Sequence, residues 1–271
     1  MSVKKKKAAV KKKVAPKKKA SAKKVTVNVN VNVSQTPTPK KVKKNYLMMV
    51  LDESGSMISM REQAISAFNE QLISARQSKG DIDVRVGLVK FESITKDVHV
   101  NKSLDAVEPL TLSTYVPCGG TAMYDGVGRA IELLLQQPDI KDEDVTVLML
   151  IISDGEENSS RFYKSEVISE LTKSLQATGR WTFTYAGANQ DLTKIQKTFH
   201  MPMGNISSFQ ASAAGMTMNN SVRSSGTTSY YSAQSIGRLS VDSFYAQPDP
   251  NAVGFTQDTT VNPDPNAPKT P

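Results

Sequence analysis

The sequence predicts an α/β fold: a doubly wound, mostly parallel sheet with helices on both faces. Two observations carry this. Short apolar runs too brief to span a membrane recur along the chain, above all Tyr46 to Leu51 and Val145 to Ile152, as expected of strands buried on both faces of a sheet. Between them lie segments with apolar residues at helical spacing, and strands alternating with helices imply parallel crossover units. Ligand sites in such folds lie in the crevice at the carboxyl ends of the strands.

Composition narrows the organisation. The 271 residues carry a net charge of +8, yet residues 1–44 hold 16 lysines and no acid, which leaves 18 basic against 26 acidic groups in the remainder. The positive charge therefore belongs to one arm. Its lysines Lys4, Lys5, Lys6, Lys7, Lys11, Lys12, Lys13, Lys17, Lys18 and Lys19 are too dense to collapse into a core. They are expected to attach to nucleic acid or another polyanion by counterion release, without sequence readout; a purely solubilising tail is the alternative. Cys118 is the single cysteine, so no intrachain disulfide forms and a reducing, cytoplasmic compartment is expected. Neither a signal peptide nor a membrane segment is read in the sequence.

In chain order, Val25 to Val33 alternates β-branched and polar residues like an edge strand, and Ser34 to Lys44 reads as a linker. The folded domain is expected over 45–225. Its first strand ends in Asp52-Glu53-Ser54-Gly55-Ser56, where the extended backbone points Asp52, Ser54 and Ser56 the same way. A helix of about 20 residues follows, with Ile65, Phe68, Leu72 and Ala75 as its buried stripe and a capping box at Ser59 and Glu62. Asp83 to Phe91 and Thr95 to Val100 form an antiparallel pair, with His99 structural. A polar crossing leads to Gly119-Gly120-Thr121, and Met123, Val127, Ile131 and Leu134 mark the next helix. Thr121 stands at its amino terminus, where a plain cap is the usual role. The strand Val145 to Ile152 delivers Asp154-Gly155; Glu156 and Glu157 behind it read as solvated loop charge. A helix with Val167, Leu171 and Leu175 inside, the strand Trp181 to Gly187, and a helix carrying Leu192, Ile195 and Phe199 complete the alternation. Met203 to about Arg223 closes the domain. From 226 the composition turns to Ser, Thr, Tyr and Gln and then to Pro, Asp and Asn, with PDPNA at 248–252 and again at 263–267. This tail is expected to be mobile, with use as a peptide ligand the alternative.

Asp52-x-Ser54-x-Ser56, Thr121 in its glycine-rich loop and Asp154-Gly155, in that order, resemble the metal-ion-dependent adhesion site (MIDAS) of the von Willebrand factor type A (VWA) domain. The runs TYVPCGGTAMYDGVGRAI, IISDGEENSSRFY and WTFTYAGANQD look like those of soluble bacterial and phage-type VWA proteins. The resemblance implies metal ligation by Asp52, Ser54, Ser56, Thr121 and Asp154, the last through water, with Asp125 and Gly120 in supporting positions. Hard oxygen donors suit Mg²⁺, with Mn²⁺ as an alternative, better than zinc. The implied function is protein binding, an open coordination position taking a partner's acidic side chain. Plain capping of the following helix by Asp52 and the serines is the structural alternative.

Other classes fit less well. A haloacid-dehalogenase-type phosphotransferase would place a second acid two residues after its aspartate, where Ser54 stands. No Walker-type phosphate loop or His-paired nucleophile is present. A DNA-associated structural protein remains compatible with the lysine arm.

Overall fold

The computed structural model describes residues 41–188 and 190–246. The lysine arm, the alternating segment 25–33 and the tail from 247 lie outside the described residues. Six strands form one sheet in the order β3-β2-β1-β4-β5-β6. They are β1 (Lys44–Asp52), β2 (Asp83–Phe91), β3 (Thr95–Ser103), β4 (Val145–Ser153), β5 (Trp181–Ala188) and β6 (Ile206–Phe209). Every pairing is parallel except β2 with β3, the antiparallel edge. β1 pairs with β2 on one side and β4 on the other, so the chain winds outward in both directions from the β1–β4 seam. That seam is the topological switch point, where the carboxyl-end loops diverge and leave a crevice.

The two-residue period of the central strands builds two cores. Leu47, Met49 and Leu51 face α1 (Arg61–Ser78) and α5 (Ala213–Ser235). Tyr46, Met48 and Val50 face α2 (Met123–Leu135), α3 (Ser165–Gln176) and α4 (Leu192–Phe199). All nine residues of β4 are buried, which explains its unbroken apolar run. Each fully buried aliphatic side chain of this kind contributes about 1.5–3 kcal/mol relative to exposure. The sheet is thereby a rigid base for the loops at its carboxyl edge.

Several local expectations are corrected. The stretch after β1 is a 3-10 turn, Gly55–Met60, and α1 starts only at Arg61, with no side-chain bond from its cap residue Met60. The Ser59–Glu62 capping box therefore does not form. The turn instead buries Met57 and Met60, and packing of those methionines fixes where the helix begins. On α3 the inward face is Ile168, Thr172 and Leu175, while Val167 is exposed; the stripe is rotated by one position because Thr172 satisfies its hydroxyl on the Ile168 carbonyl and so tolerates burial. β6 was not expected. The boundary at 225 falls inside α5, which continues to Ser235 and buries Tyr230 and Tyr231 against α1 and the sheet. Beyond it, Phe244 is buried and donates its N–H to the side-chain oxygen of Asn205. Polar side chains supply much of this inner face, and that hid it from an apolar pattern: Asn45 bonds Tyr230 and Tyr231, and Gln71 accepts from Thr227. No described helix is long and apolar enough to cross a membrane.

Candidate metal centre

The β1–β4 seam ends in Asp52 on one strand and Ser153-Asp154 on the other. Asp52 is fully buried and held from two sides: the Ser54 N–H donates to Oδ1 at 2.7 Å and the Ser153 hydroxyl to Oδ2 at 2.6 Å. From there a chain of oxygens runs outward. Ser54 Oγ lies 3.0 Å from Ser56 Oγ, and the Ser56 hydroxyl donates to Asp154 Oδ1 at 2.6 Å. Ser56 is exposed, so the cluster opens from a buried carboxylate to solvent over three residues.

Thr121 joins this cluster across Gly155. A Cβ built on Gly155 would stand 3.0 Å from Thr121 Oγ1 and 3.6 Å from Ser56 Oγ, so the absence of a side chain there lets the three loops close on one another. Thr121 is itself locked by its neighbours: its N–H donates to Asn158 Oδ1 at 2.9 Å, and its carbonyl accepts from the N–H groups of Asn158 and Ser159. The amino terminus of α2 carries no side-chain cap from its own strand-side residues; the Tyr124 N–H is taken by Glu157 and the Asp125 N–H by Ser160. The Thr121 hydroxyl is thus not spent as a helix cap. Likewise no serine side chain caps the turn after Asp52.

The residues expected in support take different places. Gly120 lies against the loop after β4, where a Cβ would meet Ser159 Oγ at 2.2 Å, and its N–H donates to Ser93 Oγ. Asp125 is engaged by the loop after Asp154. Its carboxylate accepts the N–H groups of Arg161, Phe162 and Tyr163 at 2.8–2.9 Å, which ties the loop after Asp154 to α2. Glu157 is not solvated charge: it accepts from the N–H groups of Tyr124, Ser159 and Ser160 and from the Ser160 hydroxyl. Glu156 is exposed, as expected.

Sequence reading missed three contributors. Ser153 follows an apolar run and has no motif of its own, yet it orients Asp52. Glu53 is buried beside the site, paired with Lys90 at 2.6 Å and Lys96 at 3.1 Å, and accepts the Val116 N–H at 2.8 Å. Tyr115 donates its hydroxyl to the Asp52 carbonyl. The charged Lys90 among the buried apolar residues Val86, Leu88, Val89 and Phe91 is the available signal for a buried acid.

Electrostatics follow from burial. Desolvation pushes the Asp52 carboxyl up to about 6, against the bonds from Ser153 and Ser54 that favour its charge, and Asp154 raises it further. Asp154 is also raised, chiefly by burial. Burial alone would raise Glu53, but Lys90, the Val116 N–H and Lys96 together hold it below the usual carboxylate range. The two carboxylates of the cluster are therefore short of positive charge, while Glu53 is already neutralised. A cation bound by oxygens would relieve that deficit. Among the described residues no three His, Cys, Asp or Glu side chains are placed to hold a metal. The donor set is two carboxylates and three hydroxyls, which fits a hard, water-keeping cation.

Residues 47–157, which span all five candidate ligands, match the family model of the von Willebrand factor type A domain. The folded region has a VWA-like α/β fold. Solved structures share its fold. The pilus adhesin SpaC from Lactobacillus rhamnosus GG, in its open conformation, is 13% identical over 71% of this chain and 31% of that one, with a TM-score of 0.53. Proximal thread matrix protein 1 from the mussel byssus, with a zinc-occupied MIDAS motif, is 16% identical over 68% and 46%, at 0.47. A von Willebrand factor type A protein from Catenulispora acidiphila is 12% identical over 69% and 42%, also at 0.47. This chain spans under half the length of each. A search of curated proteins returned no match.

Proposed function

We propose that this VWA domain is a metal-dependent binding module rather than an enzyme, in which Asp52, Ser54, Ser56, Thr121 and Asp154 hold a divalent cation that captures an acidic side chain of a protein partner. The observation that supports it most is the gradient of the oxygen cluster, from a fully buried carboxylate to an exposed serine at the sheet's switch point. A cation with six preferred ligands would find too few protein oxygens on the solvent side, leaving a position for water or for an incoming carboxylate. Mg²⁺ fits the donor set, and Mn²⁺ fits it as well. Asp52, Ser54 and Ser56 would bind from β1, Thr121 from the α2 side, and Asp154 through water. Gly120 and Asp125 act behind them by fixing the Thr121 and post-Asp154 loops. The folded module comprises at least residues 41–246, and the lysine arm attaches it to nucleic acid or another polyanion inside a reducing cytoplasm.

Calorimetric titration of Mg²⁺ and Mn²⁺ tests this, with Zn²⁺ alongside. The parent is expected to bind one equivalent saturably, and Asp52→Ala and Thr121→Ala to weaken binding at least tenfold while keeping the far-ultraviolet spectrum of the parent. Equal affinity in parent and variants would remove the reading.

A further inference from the structure

Helix α5 crosses one face of the sheet diagonally. Asn219 Nδ2 donates to Ser207 Oγ on β6 at 2.7 Å, and farther along the helix the Tyr230 hydroxyl accepts from Asn45 Nδ2 on β1 at 3.0 Å. Ser207 is in register with Ala186 of β5 and Asn45 with Thr146 of β4, so the helix passes over β5 on its way toward the amino ends of the strands. Arg223 is one turn on from Asn219, about 6 Å along the helix. Thr184 lies two residues before Ala186, about 7 Å along β5 in the same direction. Its side chain shares the α5 face with Ala186 and Ala188, since Phe183 and Tyr185 belong to the opposite core. Arg223 therefore stands over Thr184.

Each of the two brings an unused donor to this place. Both residues are completely buried, and neither Arg223 Nε nor Thr184 Oγ1 has a hydrogen-bond partner among the described residues. The rest of the guanidinium is engaged: Nη1 donates to Asn220 Oδ1 at 2.9 Å and Nη2 to Asn219 Oδ1. Those asparagines are themselves fixed, Asn219 on Ser207 and Asn220 on the Gln63 carbonyl at 2.9 Å. Every acceptor is thus neutral. Glu70 of α1 accepts instead from Ser224 Oγ at 3.4 Å. A buried guanidinium without an anion is costly, and buried polar groups without partners point to an ion or a water.

We infer that a small monovalent anion of the chloride class binds between Arg223 Nε and Thr184 Oγ1 and ties α5 to β5. Water would satisfy both donors but leave the guanidinium charge uncompensated. Sulfate or phosphate would bring further oxygens for which these two donors leave no partner. Chloride supplies the charge and accepts from both. The site shares no residue with the candidate metal centre and stands independently of it.

Thermal unfolding of the full chain at constant ionic strength, with chloride exchanged for methanesulfonate, tests this beside Thr184→Val and Arg223→Met. Chloride at about a tenfold excess over its dissociation constant is expected to raise the parent's melting temperature by about 3–6 °C. Both variants are expected to lose that rise. Bromide soaked into crystals is expected to give an anomalous peak in contact with Arg223 Nε and Thr184 Oγ1. A parent indifferent to chloride, a full rise in Thr184→Val, or no bromide peak between the two residues would overturn the assignment, the last leaving water as the occupant.

Discussion

Asp52 shows how one side chain couples the fold to its proposed ligand. Its carboxyl is held up at about 6 by burial, so without a cation the stability it contributes is present below the ordinary value near 3.8 and is lost as pH rises through about 6. A bound cation favours the ionised form and offsets that loss over the same window. Mg²⁺ should therefore raise the melting temperature more at about pH 7.5 than at about pH 5, as scanning calorimetry at the two pH values will show. Glu53 behaves oppositely, since its lysines already compensate it. Glu53→Gln leaves Lys90 buried without its anion and is expected to cost about 3–5 kcal/mol in urea denaturation. Both residues illustrate what a sequence can reveal. Asp52 sits in a spaced motif at a strand end and is legible; Ser153 and Tyr115, which orient it, act through a single hydroxyl each and leave no pattern.

At the level of elements, helix α5 separates legible from illegible structure. Strands β1, β2, β4 and β5 are readable because burial on both faces leaves continuous apolar runs. α5 packs a mixed face of Asn219, Asn220, Arg223, Thr227, Tyr230 and Tyr231 inward, so neither its extent to Ser235 nor its place in the core follows from hydrophobic periodicity. A chain ending at residue 225 loses both tyrosines and Phe244 and is expected to melt non-cooperatively by circular dichroism, whereas residues 41–246 retain a single transition. Arg223 is the largest fully buried side chain and bonds Asn219 and Asn220 rather than a carboxylate, with Nε unpartnered. Such a cation is costly to bury. Arg223→Met is expected to be neutral or stabilising, by up to about 4 kcal/mol in chemical denaturation.

Across the whole molecule, charge and fold divide the work. The folded part carries the acids and the chain before β1 the lysines, a division visible in composition alone. Deleting residues 1–40 should abolish salt-sensitive retention on heparin without altering Mg²⁺ affinity, because the proposed polyanion and metal sites share no residue. The doubly wound sheet was predictable because strands alternate with helices in sequence. The site's position followed from the same topology, since Asp52 and Asp154 end neighbouring strands at the switch point. Whether those oxygens hold a cation is the central claim, and anomalous scattering from a Mn²⁺-soaked crystal tests it most directly. The account predicts one strong peak at bonding distance from the hydroxyls of Ser54 and Ser56 and beside Thr121, with Asp52 and Asp154 facing it. A peak on another acidic cluster, or none at saturating Mn²⁺, would contradict it.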